Sequence, residues 1–460
     1  MASGELGDQR LNERRDRVVA VLEQYPDMGF PEACADDAEV EALYRFLRNP
    51  RVSLAKLIEP HLMATQARCA ALGEVLLIHD TTDMVFTGEA PRVGLARLGK
   101  GRHGFWVHAA LAVSADGVRA PLGVLSLVPF IRKIQPAGTH KDERARYEDP
   151  EKESRHWAAG VTATRARLGV DTQAIHVMDR GADSYELFAA LHAQGERFVV
   201  RLNHDRRVLS DDGVRPLHEA VPRTTILGQR DVQLGPRRTG NRPQQARRKH
   251  PARDGRVATL QFAARPLTFQ RPDGRQYRSL PRELRLHVVY AWESAVPPGE
   301  DAVEWRLITA EPIATLEDVL RIIDWYRTRW VIEEFFKALK TGCAYEQRQL
   351  ESLETLLVAL ALLAPVAWQL LALRHLARTA PKESAHAVLS VRQLQLLRTV
   401  RAGAALAHTV SIRDALLALA RLGGHLKQNG EPGWRVLGRG MQKLLLMETG
   451  WAAAEHARRM

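Results

Sequence analysis

Cysteine is scarce in this chain. Cys34, Cys69 and Cys343 stand alone, with no CxxC pair and no histidine cluster at zinc-binding spacing. A disulfide scaffold and a structural zinc site are thereby excluded, and isolated thiols fit a reducing compartment. The opening stretch "MASGELGDQRLNERRDRV" lacks the apolar core that a secretion signal requires. Internal repeats are absent. Only one long hydrophobic run occurs, Leu356 to Leu373, apolar apart from Gln369 and interrupted by Pro365. Its length sits at the lower limit for a membrane span. Glu351 and Glu354 precede it, Arg374 and His375 follow it, and no second run accompanies it. A helix buried inside a large domain is the expectation, in a cytoplasmic protein without a membrane partner.

What is abundant is positive charge. Among 460 residues, 66 Lys and Arg outnumber 54 Asp and Glu, a formal net charge of +12. An excess of that kind favours a polyanionic partner such as nucleic acid, and an acidic membrane surface is equally compatible with it. The length allows about two to four domains with a sizeable core.

The hydrophobic pattern changes several times along the chain. Residues 1–70 read as a basic helical unit in which Arg10, Arg14, Arg15, Arg17, Arg45 and Arg48 accompany apolar positions at helical spacing. Across 71–202, "EVLLIHDTTDMVF", "WVHAALAVS" and "APLGVLSLV" read as strands, followed by a helix over 151–168. The strand "AIHVMD", the helix "SYELFAALHAQ" and the strand "RFVVRLN" come next. That alternation implies parallel pairing behind an antiparallel start, hence a mixed α/β sheet. Residues 203–298 read as a β-rich, basic insertion, and "RRTGNRPQQARRKHPARDGR" within it is either a solvated loop or a phosphate-contacting arm. A return strand "VEWRLITAEP" opens the segment 299–377, and 378–460 is again helical.

Two aspartates fall where apolar strands are expected to end: Asp80 in "VLLIHD" and Asp179 in "AIHVMD". Strand ends in such sheets are where loops open a cleft, although an Asp there is commonly a turn former or a helix cap. A third carboxylate, Glu333, lies in "DWYRTRWVIEEFFKALKTG", which reads as one helix. At about 100° per residue, Tyr326, Arg329, Glu333, Lys337 and Lys340 share one side of it, and Trp325, Ile332, Phe335, Phe336 and Leu339 share another. Such a stripe is ordinarily a solvated face. Three convergent carboxylates, however, would repel unless cations neutralised them, and hard divalent ions with oxygen ligands would do so.

In these residues the chain resembles the bacterial cut-and-paste transposases of the insertion-sequence-4 family. "IHDTTD" and "VMDRGADSYELF" are similar to that family's two Asp motifs, and Tyr326, Arg329, Glu333 and Lys340 match its Tyr-x2-Arg-x3-Glu-x6-Lys signature. "YRFLRNP", "EKESRHW", "RFVVRLN" and "ARLGGHL" resemble family segments in the same order. The resemblance implies a ribonuclease-H-like α/β catalytic core over 71–202 and 299–377, interrupted by the insertion at 203–298. It implies a DNA-end-binding domain at 1–70 and a dimerisation domain at 378–460. It further implies that Asp80, Asp179 and Glu333 hold two Mg²⁺ or Mn²⁺ ions per active site. Double-stranded DNA, as transposon ends and target, and a second copy of the chain in the synaptic complex are the implied partners. Tyr326, Arg329, Lys337 and Lys340 are expected to face DNA, Trp305 to stack on a displaced base in a hairpin intermediate, and Arg45 and Arg48 to contact DNA ends. One departure stands out: Gly181 occupies a position where relatives often carry Glu. A non-cutting relative that acts as an inhibitor is the alternative. A two-carboxylate glycoside hydrolase leaves the basic excess and the Arg and Lys flanks of Glu333 unexplained.

Overall fold

The structure, a computed structural model, describes residues 6–24, 34, 36–88, 92–99, 101–131, 153–210, 213–221, 225–235, 252, 254–400, 406 and 409–459. It divides into two compact units, one made of Met1–Gln173 and Trp330–Met460, the other of Ala174–Arg329.

The first unit opens with helices α1 (Gln9–Gln24), α2 (Asp37–Leu47) and α3 (Leu54–Leu72). Each of the latter two starts at a side-chain cap: Asp36 accepts from the Glu39 N–H, and Ser53 from the Lys56 N–H. Strands β1 (Glu74–Thr87), β2 (Ala96–Gly99), β3 (Arg102–Ser114) and β4 (Pro121–Phe130) follow. β3 pairs antiparallel with β1 along one edge and with β2 and β4 along the other. Val75–Ile78 and Val107–Val113 are buried without alternation, the pattern of a sheet covered on both faces. Helices α3 and α4 (Glu153–Arg167) pack on β4.

In the second unit, β5 (Gln173–Met178) and β6 (Arg197–Arg201) run parallel, joined by the crossover helix α5 (Tyr185–Ala193). β7 (Arg207–Ser210), β8 (Gly213–Pro216), β9 (Gly228–Leu234), β10 (Arg256–Gln270), β11 (Glu283–Glu293) and β12 (Glu304–Thr309) complete it. β12 lies antiparallel between β6 and β11, β11 pairs with β10, and β10 takes β7 and β9 on its far edge. The expected mixed sheet is present, and residues 203–298 contribute β7 to β11. Helix α6 (Leu316–Thr328) starts at a capping box of Thr315 and Asp318 and packs on β6 and β11.

The chain then returns to the first unit as α7 (Trp330–Lys337), a π-helical turn (Ala338–Gly342), α8 (Leu353–Thr379), α9 (Val391–Thr399), α10 (Ile412–Leu422) and α11 (Trp434–Arg459). α8 contains the long apolar run, and 83% of its most apolar window is buried inside the protein. Pro365 sits within this helix without interrupting it. α11 packs against α1, α10 and the π turn.

Candidate active site

Asp80 does not end its strand. β1 continues to Thr87 because its backbone pairing with β3 persists through Thr87 opposite Arg102, beyond the apolar stretch that defined the strand in the sequence. Asp80 is instead the first half-buried position after the buried run Val75–His79. Its Oδ1 accepts the Thr81 N–H at 2.8 Å. Thr81 Oγ1 in turn lies 2.9 Å from Nδ1 of His108, whose Nε2 is 3.3 Å from His79 Nδ1. Both imidazoles have no exposed surface. Burial, reinforced by His156, lowers the His108 pKa to about 3, so the ring stays neutral in ordinary buffers. Space for it depends on Gly160 of α4, where a Cβ would come within 2.6 Å of the His108 ring.

Glu333 is half-buried on α7, a helix that packs on β1, so two of the expected carboxylates belong to touching elements of one unit. The single helix expected around it is broken twice. α6 stops at Thr328, and the Arg329 N–H donates to the Tyr326 carbonyl three residues back at 3.0 Å. After Lys337 the Cys343 N–H reaches the Ala338 carbonyl, five residues back, at 2.9 Å. A π turn shifts everything beyond it around the axis, so the stripe does not persist. Lys340 is drawn to β1: its Nζ donates to the Asp83 carbonyl and lies 3.2 Å from Asp83 Oδ1 and 3.3 Å from Glu346 Oε1. Glu346 Oε1 also accepts the Val85 N–H at 2.9 Å. Lys337 pairs with Glu334 at 2.7 Å and lies 5.0 Å from the centre of the Trp330 ring. Trp330, not singled out in the sequence, is 55% exposed, and its position three residues before Glu333 was the available signal.

The second unit carries Asp179, directly after β5. There it caps the short turn Arg180–Ala182, Oδ1 accepting the Gly181 N–H at 2.7 Å. The neighbouring acid Asp183 is fully committed. Its Oδ2 accepts the N–H groups of Asn203 and His204 at 2.6 and 2.8 Å, and its Oδ1 holds Arg206. Tyr326, expected on an exposed stripe, is only 6% exposed and meets the half-exposed Trp305 edge-on, ring centres 5.7 Å apart. It is covered because α6 packs on the sheet whose strand β12 carries Trp305. Beside them a cavity of about 250 Å³ is lined by Arg180, Arg201, Leu202, Asn203, Glu304 and Arg306. Burial lowers the Arg201 pKa; Tyr326 opposes that shift, and Arg180 and Arg329 add like charge nearby. Arg201, within "RFVVRLN" and without a motif of its own to mark it, is thus the innermost cation of a basic pocket.

Two family models match the chain, one for transposase DNA-binding over residues 1–52 and one for a transposase DDE domain over residues 151–368. The chain is a metal-dependent DNA transposase. The DDE match contains Asp179, Trp305, Tyr326, Arg329 and Glu333, whereas Asp80 precedes it. The mixed α/β architecture agrees with such a domain. Its expected ligands are all carboxylates, an oxygen-only donor set that suits hard divalent cations. Among the described residues, no three His, Cys, Asp or Glu side chains are gathered as the ligands of one metal ion.

The DNA-binding match includes Arg45 and Arg48. Arg45 pairs with Glu41 at 2.6 Å, and Arg48 lies 3.3 Å from Glu351. All four side chains are exposed, and surface pairs of this kind are weak enough for phosphate to displace. The basic run 237–256 lies almost wholly outside the described residues, as do the first two residues of "EKESRHW".

Proposed function

We propose that this enzyme performs cut-and-paste transposition of the insertion-sequence-4 type, passing through a DNA hairpin. The observation that carries the hairpin step is the half-exposed indole of Trp305, whose ring partner Tyr326 also hydrogen-bonds Arg201 of the basic cavity. A flipped nucleotide needs an aromatic surface for its base and cations for its phosphate, since leaving the stack costs a few kcal/mol. Trp305 offers the first and Arg201, joined to it through Tyr326, the second, in the unit that also presents Asp179.

In this reading Asp80, Asp179 and Glu333 are the ligands of two Mg²⁺ or Mn²⁺ ions, which would activate a water or a 3′-hydroxyl and stabilise the leaving oxygen. The Thr81 N–H helps to orient Asp80, and the Gly181 N–H helps to orient Asp179. Arg201 and Arg329 hold phosphates next to the reacting one, because positioning and charge neutralisation do most of the work in phosphoryl transfer. Lys340 acts first as a staple between the π turn and β1. Its contact with DNA requires exchange of Asp83 or Glu346 for phosphate. Residues 1–70 bind the transposon ends, and two copies of the chain synapse them through 378–460. No observation favours a non-cutting inhibitor.

The test is cleavage of a supercoiled plasmid carrying the element's own ends with Mg²⁺ present. Asp80→Ala, Asp179→Ala and Glu333→Ala should each lose nicking while end binding persists. Nicking that survives any one of them removes that residue from the metal site. Trp305→Ala should nick but form fewer hairpins; equal loss of both steps would mean that the indole only packs.

A further inference from the structure

The tip of the β10–β11 hairpin is a loop of residues 271–282, "RPDGRQYRSLPR", and its chemistry is unlike that of the sheet behind it. Five arginines elsewhere in the second unit are folded against acids. Arg197 pairs with Glu311 at 2.7 Å, Arg230 with Asp324 at 2.8 Å, Arg306 with Glu304 at 2.9 Å, and Arg206 and Arg256 with Asp183 and Glu293. In the loop the outward cations Arg275, Arg278 and Arg282 have no carboxylate within ion-pair distance among the described residues. All three are exposed.

The loop is nonetheless built. The Arg271 guanidinium is turned inward, Nη1 donating to the carbonyls of Arg278 and Leu280 at 2.8 Å each. The Arg271 N–H closes the neck on the Arg282 carbonyl at 2.9 Å. From α5, the Tyr185 hydroxyl donates to the Pro281 carbonyl at 3.0 Å. A 3₁₀ turn over Arg275–Tyr277 continues into Arg278 at φ −62°, ψ −26°, and residues three apart in such a turn lie one above the other. Arg275 and Arg278 therefore project together. With Arg282 they rim a polar cup of about 520 Å³ whose acids, Asp273 and Glu283, are fewer than its arginines.

We infer that this loop is a second DNA contact, a clamp for the sugar-phosphate backbone of duplex DNA that acts without regard to sequence. Guanidinium groups fixed on an ordered loop bind phosphate oxygens in paired fashion and lose little freedom in doing so. Duplex DNA is the occupant because the chain carries a transposase DNA-binding domain, and the backbone phosphates of duplex DNA are the dense polyanion that such guanidinium groups neutralise. The inference takes its partner from that domain and is independent of the proposed metal chemistry.

The experiment is equilibrium binding of the full chain to random-sequence duplex DNA in chelator, across a salt titration. Replacing Arg275, Arg278 and Arg282 together by Ala should weaken binding about tenfold or more and reduce the slope of log affinity against log salt by about 3. The corresponding triple Lys variant should restore the slope. An unchanged thermal transition in the Ala variant shows that the loss is one of contact. Affinity and slope that match those of the parent chain overturn the inference. So does a loss of heparin or single-strand binding with duplex affinity unchanged. Because chelator removes cleavage from the readout, failure of the proposed triad would show only in plasmid nicking and this failure only in binding.

Discussion

Asp179 and Asp183 lie four residues apart in one motif, yet the structure separates a poised carboxylate from a structural one. Asp183 has a side chain with no exposed surface, takes two backbone N–H groups, and neutralises Arg206, itself 12% exposed. A carboxylate so fully occupied has no lone pair to offer a metal. Asp179 uses Oδ1 for a single N–H and sits half-exposed at the mouth of β5. Asp183→Ala leaves Arg206 buried without its partner and should cost about 3–5 kcal/mol of stability, the usual penalty for breaking one side of a buried pair. Asp179→Asn should leave stability within about 1 kcal/mol, because the amide oxygen still caps the turn, while nicking is lost. Denaturant unfolding of both variants, read beside plasmid nicking, checks the division. Equal destabilisation by the two would assign Asp179 the same structural role as its neighbour.

Among the elements, those whose apolar positions repeat at the period of a strand or a helix were legible in the sequence. β1, β3, β4 and the parallel pair β5–β6 lie where alternation or continuous burial put them, and α8 is a core helix as its charged flanks required. The breaks in the helical register around Glu333 were not legible, because counting at 3.6 residues per turn assumes an uninterrupted helix. The π turn has a tertiary setting. Gly438 of α11 comes so close to Gly342 that a Cβ there would overlap the Gly342 carbonyl oxygen. Tyr326 departs from the expected stripe for a related reason: its burial depends on Trp305 and the sheet, which lie outside its own helix. Gly438→Ala should therefore push on the turn that aims Lys340 at β1. A destabilisation of about 1–3 kcal/mol is expected from such overpacking, with plasmid cleavage reduced at temperatures where the chain is still folded. Full cleavage with unchanged stability would show that the turn tolerates the shift.

For the whole molecule, the net charge of +12 is divided between arginines that hold the fold and arginines that face solvent, a distinction composition cannot make. The same question of which charges the fold tolerates sets its response to acid. His61 and His108 are 8% and 0% exposed, and burial lowers each pKa to about 3; Arg68 adds to the effect at His61 and His156 at His108. His61 must be neutral for a second reason: its Nε2 accepts the Val124 N–H at 3.1 Å, which a protonated ring cannot do. In the unfolded chain both histidines take up protons near their ordinary pKa of about 6.5. The unfolded state therefore binds more protons between roughly pH 6.5 and 3, and stability falls as pH drops through that window while staying level above it. Each histidine should cost about 2 kcal/mol between pH 7 and 5. The Glu59 carboxyl, held low by its hydrogen bonds to Arg167, adds loss in the same direction at more acid pH. His61→Gln keeps an acceptor for the Val124 N–H but takes no proton, so it should remove one histidine's share of the acid slope. Urea unfolding of parent and variant at pH 7 and pH 5 measures that share, and parallel losses in the two would mean that His61 is already solvated in the native state.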